Sequence, residues 1–167
     1  IANKISNGYS LIASNEELAG IEYLQEAINI ALKQKHDKDA LLYVLNSNSF
    51  TTVVEYFYKI GNLQQAREYL AIHLDLCTCV KTLSAYSEDK FDYIDASYSI
   101  ISGLASNNKD YISAIKYRKL RKDYIFERES YSEGYFQKST HLIYDYIANG
   151  QYVEALNEGI SLFREKI

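Results

Sequence analysis

The sequence contains no proline, no tryptophan and no methionine in 167 residues. At an ordinary usage of about 5%, roughly eight prolines would be expected. Proline removes a backbone donor and clashes with the preceding turn, so a chain without it can run long helices unbroken. Glycine is also scarce, with seven residues, too few for the many tight turns of a strand-rich fold. These shortages together point to an all-helical protein.

Other shortages exclude classes of function. There are two cysteines, Cys77 and Cys79, which do not make a disulfide framework. On one helix they would point about 200° apart and could not easily bridge; they read as small buried apolar side chains. No apolar run reaches the ~18 residues that a bilayer-spanning helix needs, so no membrane contact is assigned to this segment. The formal net charge of −4 argues against nucleic acid, which requires a basic surface. No glycine-rich phosphate loop, GxSxG or HExxH occurs, so no catalytic residue and no cofactor are assigned. His73 and Cys77, one helical turn apart, are a two-ligand fragment of a zinc site, but His36 and His141 are the only other histidines. No metal is assigned.

What is present is repetition. Ile60-Gly61-Asn62-Leu63-Gln64-Gln65-Ala66, Asn149-Gly150-Gln151-Tyr152-Val153-Glu154-Ala155 and Asn108-Lys109-Asp110-Tyr111-Ile112-Ser113-Ala114 share one pattern. Each has a turn residue, a polar residue, Leu or Tyr, and Ala three positions later. A weaker copy runs from Asn15 to Gly20. Gly61 and Gly150 can adopt the positive φ that closes a helix. Asn62 and Asp110 can cap the helix that follows. Ala66, Ala114 and Ala155 are small enough for two antiparallel helices to approach closely, with Leu63, Tyr111 or Tyr152 filling the groove beside them.

Apolar stripes with helical spacing precede each turn: Phe50, Val53, Val54 and Phe57; Tyr98, Ile101 and Ala105; Leu142, Ile143 and Tyr146. Ala66, Leu70 and His73, and earlier Ala27, Ile28 and Ala31, continue the inner faces downstream. The reading is one domain of four hairpins, at about 1–36, 38–84, 88–130 and 132–167. The clusters His36-Asp37-Lys38-Asp39 and Ser87-Glu88-Asp89-Lys90 serve as connections. The equivalent positions 20, 66, 114 and 155 are 46, 48 and 41 residues apart. The segment is expected to be excised from a longer protein, because it begins at Ile1, ends at Ile167 and shows no polar capping helix.

At Phe50, Val53, Val54, Phe57, Gly61, Leu63, Ala66 and Leu70 the sequence resembles the tetratricopeptide repeat (TPR) family. It does so again at Leu142, Ile143, Tyr146, Gly150, Tyr152 and Ala155, and in part at Tyr98, Ile101, Tyr111 and Ala114, where Lys109 replaces the glycine. It departs in its longer period, against 34 residues for the family, and in lacking the closing proline. The resemblance implies an α-solenoid, a TPR-like right-handed superhelix of about four antiparallel hairpins whose first helices line a concave surface. It places Asn48, Thr51, Glu55 and Tyr58 on that surface, then Ser99, Gly103 and Ser106, then Gln137, Thr140 and Tyr144. The lysine and asparagine clamp that some members use for a terminal carboxylate is unmatched, because Thr51 and Glu55 stand there.

Long, proline-poor repeats of this kind look like the input regions of bacterial regulators, either two-component sensor kinases of the Bacteroidetes type or Gram-positive peptide-pheromone receptors. The resemblance thus implies non-catalytic binding of a protein or peptide. The alternative is a structural oligomerisation module, a homodimer formed through the terminal hairpins. The compartment is open: periplasmic for a sensor-kinase input domain, cytoplasmic for a stand-alone regulator. Among 17 tyrosines, Tyr58 and Tyr144 are the expected exposed contacts. The run Lys116-Tyr117-Arg118-Lys119-Leu120-Arg121-Lys122 reads as a solvated outer face or a contact for an acidic partner.

Overall fold

The computed structural model describes residues 1–85, 91–129 and 133–166. Among them all regular structure is helical: α1 (Ala2–Ala13), α2 (Glu17–Lys33), α3 (Lys38–Asn46), α4 (Ser49–Lys59), α5 (Leu63–Leu83), α6 (Tyr93–Asn107), α7 (Tyr111–Glu129), α8 (Glu133–Ala148) and α9 (Tyr152–Lys166). The all-α expectation holds, and α1 with α2, α4 with α5 and α8 with α9 pack as successive helix pairs. The connection predicted at Ser87–Lys90 and the boundary predicted between 130 and 132 lie outside the described residues.

Four hairpin turns among the described residues share one hydrogen-bond pattern. Asn15, Gly61, Lys109 and Gly150 each take a left-handed conformation, with φ of 63°, 76°, 62° and 75°. The amide after each donates back across the turn: Glu16 to Leu11 (2.9 Å), Asn62 to Phe57 (2.8 Å), Asp110 to Ala105 (2.9 Å) and Gln151 to Tyr146 (2.8 Å). This is the Schellman closure, which satisfies carbonyls that the helix end leaves open. Only two of the four turns use glycine; asparagine and lysine take the same geometry at some steric cost. The following helices open with side-chain caps where the sequence offers them. Asn62 accepts from the Gln65 amide (3.1 Å) and Asp110 from the Ser113 amide (3.3 Å).

Five residues after each left-handed residue stands a small one: Gly20, Ala66, Ala114 and Ala155, all buried. In the first hairpin its partner is Gly8, twelve residues earlier. A Cβ on Gly20 would lie 2.6 Å from the Gly8 carbonyl oxygen and 2.5 Å from Ile12 Cγ1. A Cβ on Gly8 would lie 2.9 Å from the Gly20 carbonyl oxygen. The two helices therefore meet backbone to backbone, which only glycine allows.

The second hairpin departs from the expected single first helix. α3 ends at Asn46, and the chain re-enters a helix at Ser49 through Asn48, whose φ is 57°. Ser47 supplies the bonds that hold this elbow: its hydroxyl donates to the Val44 carbonyl (2.7 Å) and its carbonyl accepts the Tyr9 hydroxyl (2.6 Å). Asp37, expected in a connection, instead caps α3 by accepting from the Ala40 amide (3.1 Å).

The chain divides into two compact units, 1–94 and 95–167. The first has an aliphatic core in which Ile21, Leu24, Ile28, Leu41, Val53, Leu70 and Leu76 are almost wholly excluded from solvent. α2 packs against both α1 and α4 there, and Lys59 of α4 reaches Glu17 of α2 at 2.8 Å. In the second unit α8 packs against α7 and α9, around Ile115, Leu142, Tyr146 and Ala155, with Tyr111 and Ile143 against them.

Candidate partner-binding surfaces

In the first unit the candidates lie on α4. Its buried stripe, Phe50, Val53, Val54 and Phe57, fixes which residues face outward, since helical neighbours recur every three or four positions. Thr51, Glu55 and Tyr58 share the other face: Glu55 is exposed, Thr51 and Tyr58 half-buried. Asn48 is exposed but sits in the α3–α4 elbow, outside the regular face. An open groove of about 470 Å³ adjoins this elbow, lined by Asp39, Leu42, Tyr43, Asn46 and Ser47. It was not legible beforehand, because the elbow has no proline or glycine to announce it.

In the second unit Ser99 is exposed on α6, and Gln137, Thr140 and Tyr144 are exposed together on one face of α8. Tyr144 is the more open of the two favoured tyrosines, at 64% exposure. Ser106, also expected on the surface, turns inward, and its hydroxyl donates to Asp145 Oδ1 at 2.8 Å. Tyr152 differs as well: expected to fill a groove, it is 68% exposed, because nothing among the described residues packs over its side of α9.

Beneath the α8 face lies a network of ions. Asp145, buried on α8, accepts from Arg118 of α7 as well as from Ser106 of α6. Asp95 of α6 binds Arg121 of α7 with both carboxylate oxygens (2.8 and 3.1 Å) and also meets Lys138 of α8 (3.3 Å). Lys122 of α7 bonds Glu158 of α9 (2.5 Å). Burial alone would raise the Asp95 carboxyl, but the Arg121 hydrogen bond and the charges of Arg121 and Lys138 outweigh it and hold the group below its ordinary value. Burial would lower the Lys122 ammonium, yet the bond to Glu158 and its charge carry it above the usual lysine range. These pairs correct the reading of the basic run as a solvated face. Arg118, Arg121 and Lys122 fall on one side of α7 and are spent inside the unit; Lys116 and Lys119 lie over the rings of Tyr117 and Tyr146 instead. Plotting the run at 100° per residue separates the two sets, a signal that composition alone hides.

His141, exposed beside Tyr144, is held below its ordinary value, first by partial burial and then by the charges of Arg118 and Arg121. His73 and Cys77 sit in the core of the first unit, Nδ1 to Sγ 3.8 Å, with Phe50 edge-on to the imidazole at 5.1 Å. Burial pushes His73 down to about 4, so it packs as a neutral ring. Among the described residues no group of three or more His, Cys, Asp or Glu is placed to hold a metal ion. Nor is any described helix long and apolar enough to cross a membrane.

No family model matches the chain. One curated protein, UvrABC system protein C of Methanosarcina acetivorans, is 34% identical over 59 residues; that match covers 35% of this chain and 11% of that protein. Two crystal structures of a Podosopora anserina putative kinesin light chain with nearly identical TPR-like repeats, one of them a single-residue variant, align over 99% of this chain. They cover 94% and 93% of their own chains, at 13% identity and TM-scores of 0.40. The hairpin assignment stands on the chain's own turns and helix contacts.

Proposed function

We propose that the chain is a non-catalytic scaffold that binds a protein or an extended peptide through the outward face of α8, with the outward face of α4 as a separate contact in the first unit. The observation that carries this reading is the α8 face, where an open tyrosine lies beside Gln137 and Thr140. Tyrosine offers a large, rigid contact area at low entropic cost, and the flanking amide and hydroxyl suit a peptide backbone. The next residue, Asp145, is clamped from α6 and α7, so the face is preorganised and little ordering cost falls on binding.

The narrower placement, as the input region of a bacterial signalling protein, is supported by the sequence resemblance alone. A transmembrane helix and kinase-like region in the full-length protein would favour the sensor form; an adjoining DNA-binding helix-turn-helix would favour the pheromone receptor. The binding reading is tested by proximity labelling in the native host followed by calorimetry on the partner recovered. Tyr58→Ala combined with Tyr144→Ala is expected to weaken binding about tenfold or more. Unchanged affinity would overturn it.

A further inference from the structure

α9 carries a stripe that its own unit does not use. Val153, Leu156, Ile160 and Phe163 recur at steps of three, four and three, and are 69%, 63%, 41% and 69% exposed, with Tyr152 beside them at 68%. Among the described residues no other helix exposes as many large apolar side chains. In the first and third hairpins the corresponding side is covered in part: Leu18 and Ile112, which match Val153, stay 59% and 65% exposed. Ile21 and Ile28, which match Leu156 and Phe163 in register, are buried on α2, which packs against α4; Ile115, which matches Leu156, is buried on α7, which packs against α8. The α9 stripe therefore includes, at Leu156 and Phe163, register positions that other hairpins of this chain bury against a further helix.

We infer that a second copy of this chain covers it, by antiparallel pairing of α9 with α9 about a two-fold axis near position 158. The spacing is palindromic about that point. It sets Val153 against Phe163 of the other copy, small against large, and Leu156 against the isomeric Ile160, and brings Tyr152 to the edge of the same phenylalanine. The stripe itself carries no charge, and Arg164, exposed at its rim beside Val153 of the other copy, can keep its guanidinium in water, so self-pairing desolvates no ion. A head-to-tail arrangement is disfavoured, because the outward face of α1 is polar: Asn3, Ser6, Asn7 and Ser10. At these exposures the five side chains offer on the order of 600 Å² per copy, or about 1,200 Å² for the pair, the lower bound of specific interfaces. A weak dimer results, with Kd in the range of about 10 µM.

Sedimentation equilibrium from about 1 to 300 µM, a range bracketing that constant, tests the inference. The wild type should pass from monomer to dimer, and Leu156→Glu, at an exposed position, should remain monomeric with unchanged helical circular dichroism. Phe163→Ser should weaken the dimer at least tenfold. Tyr144→Ala should leave it intact, which separates this surface from the proposed binding face. A monomer at every concentration, with the stripe left to a further hairpin or another partner, would overturn the inference, as would a dimer that survives Leu156→Glu.

Discussion

Single residues show where the sequence agrees with its fold and where it works against it. Lys109 holds the left-handed position that glycine holds at 61 and 150. Relief of its Cβ strain outweighs the chain entropy that glycine adds, so Lys109→Gly is expected to stabilise the protein by about 0.5–1 kcal/mol in urea denaturation. The opposite result is expected at Gly20, where a methyl group would meet the Gly8 carbonyl oxygen and Ile12. Gly20→Ala should cost about 2–3 kcal/mol, because backbone on the far side cannot give way.

His73 supplies a pH dependence. Its folded value of about 4 lies below the unfolded 6.5, so the neutral form is favoured by folding. Its contribution is fully present above pH 6.5 and is lost as pH falls from 6.5 towards 4, to a total of about 3 kcal/mol. Asp95 is also depressed, but from the ordinary carboxylate value, so its loss begins lower on the scale. Thermal melts of His73→Gln against wild type at pH 7 and pH 4.5 should converge as the pH falls. A wild-type melting temperature flat across that window would contradict the account.

At the scale of elements, the turn and the stripe were the legible features, since both depend on local chemistry. The pattern Gly-Asn-Leu-x-x-Ala announces a left-handed closure, a cap and a close contact within six residues, and Phe50, Val53, Val54 and Phe57 show their buried side by spacing alone. Three features were hidden. The α3–α4 elbow bends at Asn48, a residue that tolerates positive φ without advertising it. Gly8 matters only through Gly20 on another helix, and nothing in its own neighbourhood shows that. The ion network was concealed because a basic run reads as a solvated face until its acids, 26 and 27 residues away in sequence, are seen.

That network adds to the hydrophobic packing among α7, α8 and α9 and ties α6 to α7 and α8. Arg118 and Asp145 are 13% and 5% exposed at their side chains, so removing one member strands the other. Asp145→Ala should cost about 3 kcal/mol, whereas Arg118→Met with Asp145→Leu should cost much less or nothing. Equal losses in the single and double variants would show that the pair's charge is not the issue.

At the scale of the molecule, the all-α class was legible from the missing proline, and the turns at Gly61, Lys109 and Gly150 from the recurring pattern. The candidate surface was legible only in part. Tyr144, Gln137 and Thr140 are where the repeat register puts an outward face, but Ser106 and Tyr152 depart from it, because exposure depends on which neighbours a helix has. The first unit has an aliphatic core of its own, so residues 1–94 expressed alone should unfold cooperatively, as a self-sufficient unit does. A non-cooperative melt of that fragment would count against its independence.

The central claim is that partners are read by the outward face of α8, with that of α4 as a separate contact. Proton NMR of the aromatic side chains, with and without the native partner, addresses it most directly. The account predicts that the ring signals of Tyr144 and Tyr58 shift on binding while those of Tyr43, in the α3 groove, stay fixed. Binding that moves Tyr43 and leaves Tyr144 and Tyr58 untouched would contradict it.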